Sequence, residues 1–404
     1  MHFCIRKFKL IKSQQQMKKF FKVLSVALFS AAILTSCSSD DGGKKEEPTS
    51  TFVLDANNFK GTIGDGEVVL ESGQVYKLTG KLVVENGAKL TIEAGAKIEA
   101  TPRIEGEDIR FIAVAQGGQL FVNGTSSNPV VMTATEKTPG KWGGLVICGK
   151  APINKGVTAS AEVSELTYGG TVASDNSGSI KYLRLEYTGF AYNSEKEFNA
   201  LSLFGVGNGT TIEYVQAFEG SDDGFEFFGG TVNTKYLVST SSEDDSFDWT
   251  EGWNGTNEFW FGKLGLGRGN RGIEADNNSN NHLASPTSNP SIKNVTLIGL
   301  GDQGSESQAL KLRVGTKGIF DNLVLSNFLT GFDVQHDEGV GYVANGTLKA
   351  TNVKFDNVPS KAKGKNTAGD SVDVNGIFSE NTNATGAGNG TATPTWAQGW
   401  TVGL

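Results

Sequence analysis

Thr234-Lys235-Tyr236-Leu237 repeats Ile212-Glu213-Tyr214-Val215 at a distance of 22 residues, and Ile180-Lys181-Tyr182-Leu183 opens the same series. Copies with Asn in place of Tyr follow at Ile292-Lys293-Asn294-Val295, Phe320-Asp321-Asn322-Leu323 and Ala350-Thr351-Asn352-Val353. Each copy alternates apolar and polar residues, the period of a strand with one buried face. A second series runs ahead of many of these units: Leu201-Ser202-Leu203, Phe225-Glu226-Phe227, Phe247-Asp248-Trp249, Ile273-Glu274-Ala275, Leu310-Lys311-Leu312 and Phe332-Asp333-Val334. In each, two apolar side chains point inward and one polar side chain points outward.

A unit of this size cannot bury its own apolar side. Stacked coils can, with strands ~4.8 Å apart and each backbone group paired to the coil above or below. The sequence therefore predicts an all-β solenoid, a single-stranded right-handed parallel β-helix over residues 51–404. The Tyr or Asn of successive coils would stack at equivalent corners. A β-propeller is the alternative, but its blades need antiparallel four-stranded units of about 40–45 residues, which a 22-residue interval does not support. The stretch from Thr367, rich in Gly, Asn and Thr and ending with Trp396 and Trp400, is expected to cap the last coil.

Composition agrees with many short strands and tight turns. The 404 residues include 53 Gly but only 9 Pro, too few for a collagen-like or Pro-rich disordered chain. Seven of the 36 basic residues and none of the 44 acidic ones lie in positions 1–36, so removing that segment takes the net charge from −8 to −15. Phosphate backbones repel such a surface, which argues against nucleic acid as a partner.

The amino terminus reads as an address. Met17-Lys18-Lys19 opens a basic region, and the apolar run from Phe20 to Leu34 is too short and broken for a stable membrane span. It ends at Leu34-Thr35-Ser36-Cys37, which resembles the lipobox of bacterial lipoproteins. That resemblance implies a signal peptide over residues 1–36, with Met17 as an alternative start. It also implies acylation of Cys37, palmitate included, and attachment to a membrane. Ser38-Ser39-Asp40-Asp41 resembles the export signal of Bacteroidetes lipoproteins carried to the outer leaflet, which implies display on the outer membrane. Residues 37–50 read as a flexible tether. Once Cys4 is removed and Cys37 is acylated, Cys148 has no cysteine partner. It reads as a buried apolar filler.

From Gly220-Ser221-Asp222-Asp223-Gly224-Phe225 through Asp244-Asp245-Ser246-Phe247-Asp248-Trp249, the chain resembles the right-handed parallel β-helix superfamily. Trp142-Gly143-Gly144-Leu145 adds to the likeness, which is strongest to Bacteroidetes cell-surface lipoproteins of this type. That group carries no defined activity to transfer.

Chemistry could sit on the outward residues of the second series. Glu226, Asp248 and Glu274 would occupy adjacent rungs, and like charges that close are unfavourable unless protonated or neutralised. Asp222, Asp223, Asp244 and Asp245 lie just upstream and are candidate ligands for calcium, which takes six to eight oxygens. The bland alternative is a solvated acidic face whose Asp residues cap turns. Trp253 and Asn254, read as a loop, would offer a sugar-stacking platform, with Lys311 and Asp333 as further binding residues. The expectation is a non-catalytic surface scaffold for a glycan or a surface protein, helped by calcium. The competing readings are a polysaccharide lyase or glycoside hydrolase using Glu226, Asp248 or Glu274, and an accessory lipoprotein of a TonB-dependent uptake system. Against the hydrolase, the Asp pairs resemble part of the polygalacturonase pattern, but His336 precedes Asp337 rather than Gly. Lys311-Leu312-Arg313 also reverses that family's order.

Overall fold

Each repeated phrase pairs in parallel with its copy one coil away. In the computed structural model, which describes residues 50–193, 196–304 and 306–404, these pairings build a parallel β-helix. The signal segment, Cys37 and nearly all of the tether lie outside the described residues. Among the described residues no helix is long and apolar enough to cross a membrane.

The first coils have three walls. Glu67–Leu70, Lys89–Glu93 and Gln119–Asn123 stack on the first, and Lys97–Ala100 and Val130–Ala134 on the second. Gly178–Glu186 then pairs with both at once, its first half on Gln119–Asn123 and its second on Val130–Ala134. From there the two walls continue as one long bent strand per coil: Thr211–Phe218, Asn233–Thr240, Thr256–Lys263, Ser291–Gly301, Gly318–Phe328 and Leu348–Asp356. The bend falls on the residue the repeat singles out. Tyr182, Tyr214, Tyr236, Phe259, Asn294, Asn322 and Asn352 all have φ between 52° and 61°. That left-handed conformation is costly for a side chain other than Asn, so its neighbours must compensate. Tyr182, Tyr214 and Tyr236 stack with ring centroids 4.3 Å apart, and Phe259 continues the stack at 5.0 Å. Beyond it, Asn322 Nδ2 donates to Asn294 Oδ1 at 2.8 Å. Phe259, in Asn257-Glu258-Phe259-Trp260, marks a coil that the search for Tyr or Asn passes over.

The third wall carries the second series. Ile112–Val114, Leu145–Cys148, Leu201–Phe204, Phe225–Phe228, Phe247–Thr250, Ile273–Ala275, Gln308–Leu312, Thr330–Gln335 and Ser360–Lys365 pair in that order. Their inward residues join Trp249, Trp253 and Trp260 in one continuous core.

Two expectations need correction. Trp253 is not a loop platform: it is 0% exposed and stacks on Phe227 at 4.0 Å. Trp396 and Trp400 do not close an end coil. The tail turns back along the outer side of the long strands, where Trp400 packs edge-on against Tyr182 and Trp396 lies against Tyr236. Asn322 Oδ1 accepts from the Thr385 and Gly386 N–H groups, and Gln216 bonds both the N–H and the C=O of Val402. The physical reason is apolar: Val238 and Phe261 point outward and need this cover.

Candidate functional site

Strand pairing sets the outward residues of the third wall in one line. Ser202 pairs with Glu226, Glu226 with Asp248, Asp248 with Glu274, Glu274 with Lys311, Lys311 with Asp333, and Asp333 with Lys363. Upstream on the same line, Ala113 and Val146 are apolar. They lie beneath an insertion that packs Ile153, Ala161, Val163 and Tyr168 over them, together with Cys148, Phe204 and Phe228. The insertion is fastened by Tyr168, whose hydroxyl donates to Glu251 at 2.5 Å, and by Asn154, which donates to Asn277 Oδ1 at 2.8 Å. Burial beneath it pushes the Cys148 thiol up to about 12, so this cysteine is inert at neutral pH.

A second line runs along the adjacent corner, through Asn199, Asp223, Asp245 and Arg271. Asp223 Oδ1 accepts the Asp245 N–H at 2.8 Å, and Asp245 Oδ1 accepts the Arg271 N–H at 2.7 Å. Asp223 and Asp245 therefore hold corners, each spending one oxygen on the next coil. Asp222 and Asp244 sit on the outer side of the same turns, with Asn270 donating to Asp244 at 2.7 Å.

The two lines meet in three groups of carboxylates, each with oxygens within 4.8 Å of one another: Asp222, Asp223 and Asp244; Asp223, Glu226 and Asp248; Asp245, Asp248 and Glu274. Burial, and then the neighbouring carboxylates, hold Asp223, Glu226 and Asp248 well above the usual range. The same causes push Asp222 up to about 7, with Glu197 and the insertion's Glu162 adding to the field. Asp245 is pushed up to about 8, although Arg271 opposes the shift.

Neutralisation is uneven along the wall. Glu274, 9% exposed, is bound by Arg271 at 2.7 Å and Arg313 at 2.5 Å, with Lys311 at 3.9 Å. Arg313 also clamps Asp276. Among the described residues Glu226 receives only Asn199 Nδ2, at 2.6 Å. The long strands carry the contrasting case. Their outward line reads Lys181, Glu213, Lys235, Glu258, Lys293, Asp321, alternating in sign from rung to rung. Lys181 pairs with Glu213 at 3.3 Å and Lys235 with Glu258 at 3.2 Å.

A sequence model of the pectate-lyase like beta helix domain matches residues 61–401 of this chain. The chain belongs to that family. No curated protein and no solved structure matches it.

In this pectate-lyase-like domain the sequence places Glu226, Asp248, Glu274, Lys311 and Asp333 on one face. Asn254 spends its amide on the Gly252 and Thr287 carbonyls at 2.7 and 2.9 Å, and so fastens a turn. Sequence reasoning missed Asn199 and Arg271, which stand where Asp223 and Asp245 stand in their coils. Aligning the residues just upstream of each short strand would have shown both. Glu162 and Glu197 carry no repeat signal, since they reach the wall on insertions.

Proposed function

We propose that this β-helix binds a polysaccharide along its acid-lined wall without cleaving it, and that a divalent cation such as calcium bridges carboxylates to the polymer. One observation carries the reading. The same solenoid alternates charge on its long strands, as cross-strand stability favours, yet sets Glu226, Asp248 and Glu274 on successive rungs of the third wall. A fold that can pair its charges, and among the described residues leaves Glu226 and Asp248 without a cationic partner, marks those two rungs for a ligand. Glu226, Asp248, Asp222 and Asp244 retain oxygens for a cation, while Asp223 and Asp245 steady the corners. The family's pectate-lyase likeness fits a carbohydrate ligand. Display from an outer membrane through acylated Cys37 would place the wall where polymers are met, and a surface protein is the alternative partner.

Arg271 and Arg313 are already committed to buried carboxylates, which favours binding over proton abstraction. The second reading is a polysaccharide lyase or glycoside hydrolase. It draws on Asp223, Glu226 and Asp248, whose raised proton affinities would keep one carboxyl protonated beside an ionised one. The test is a panel of acidic and neutral polysaccharides, with calcium or chelator, against the wild-type chain and Glu226→Gln/Asp248→Asn. Retention without shortened product supports binding. Shortened product that disappears in the variant establishes the enzyme, and no retention of any polymer ends both readings.

A further inference from the structure

Four rungs past Asp248, the line of outward residues reaches a lysine. Asp333 is followed by Lys363, and Gln335 by Lys365 on the same pair of strands. Ser371–Val372 folds back antiparallel against Gly364 and Lys365, so these residues surround a cavity of about 380 Å³. Its lining is Lys363, Lys365, Asp333, Gln308, Thr330 and the returning strand. Both lysines are exposed, and neither forms an ion pair among the described residues. Gln308 closes the inner side of the cavity, its Oε1 buried out of reach of solvent.

We propose that this cavity is a subsite for an anionic sugar unit, one that carries a carboxylate or a sulfate. Lys363 and Lys365 take the anion. Asp333 accepts a ring hydroxyl. Gln335 Nε2 already donates to Asp333 Oδ2 at 3.1 Å, which fixes that carboxylate and leaves its other oxygen for the ligand. The inference rests on the polysaccharide reading and extends it. Glu226 and Lys363 lie five rungs apart on one line, about 24 Å at the spacing of a parallel ladder. A polyanion lying along the wall would meet lysines directly at one end, and carboxylates only through a cation at the other.

The two ends can be tested apart. The full chain is titrated with polygalacturonate, a sulfated galactan and a neutral galactan, in chelator so that no cation bridge forms. One or both charged polymers bind, the one that binds names the anion, and raising the salt weakens it. Lys363→Ala/Lys365→Ala lowers that affinity about tenfold or more. Circular dichroism of the variant matches wild type. Neutral galactan binding as well as the charged polymers, or charged binding indifferent to the lysines, overturns the subsite. Either result leaves the polysaccharide reading standing. No polymer bound, in chelator or in calcium, overturns both.

Discussion

Glu226 and Asp248 face each other on adjacent parallel strands, half-buried, and among the described residues neither is paired with a lysine or arginine. One rung further, Glu274 is held by two arginines. The contrast dictates how the molecule responds to pH, to cations and to substitution.

Stability should fall as pH rises. The folded chain keeps protons on Asp222 up to about 7 and on Asp245 up to about 8, whereas the unfolded chain gives them up near 4. A raised folded value means this stabilisation is complete below about pH 4 and lost on the way to pH 8. Thermal melts in chelator should show Tm declining between pH 5 and 8. A divalent cation should flatten the decline.

Removing a charge should help. Asp248→Asn keeps the shape of the rung but ends its repulsion of Glu226 and Glu274. At pH 8 in chelator the variant should melt at least about 2 °C higher than wild type, on a scale where 1 kcal/mol moves a large domain by 2–4 °C. At pH 5 the two should converge.

Removing a cation should harm. Arg271→Ala strands the buried Asp245 and leaves Glu274 to Arg313, a change that typically costs about 3–5 kcal/mol. Denaturant unfolding should show a loss that deepens with pH, because the stranded carboxyl escapes it by holding its proton, which the unfolded chain gives up more readily as pH rises.

Trp253→Ala should behave as a core lesion. The indole is fully buried and donates to the Val232 carbonyl at 3.2 Å, so the expected loss is about 3–5 kcal/mol. Polysaccharide affinity of the folded fraction should be unchanged.

The tail should behave as a strap. Trp400→Ala removes its buried anchor, and proteolysis should then cut between Thr382 and Leu404 well before the coils yield. Hydrogen exchange at Val238 and Phe261 should rise with it.

The solenoid was legible because its signal is periodic. Tyr214 and Tyr236, Glu226 and Asp248 stand one coil apart in the sequence and pair residue for residue. Trp253 was misread because Gly252 and Gly255 flank it like a loop, while its ring turns inward against Phe227. The tail's path was invisible, since what draws it is the outward Val238 and Phe261 of distant coils. The site was half legible: carboxylates on the repeat could be aligned, but Arg271 and Arg313 neutralise Glu274 from positions outside the short strand's pattern.

The most direct test is calorimetric titration of the full chain with calcium and then with polygalacturonate, alongside Glu226→Gln/Asp248→Asn. Wild type should take up calcium, bind the polymer more tightly for it, and lose that gain in the variant. Calcium uptake and polymer affinity identical in the two proteins would contradict the assignment of this wall as the binding face.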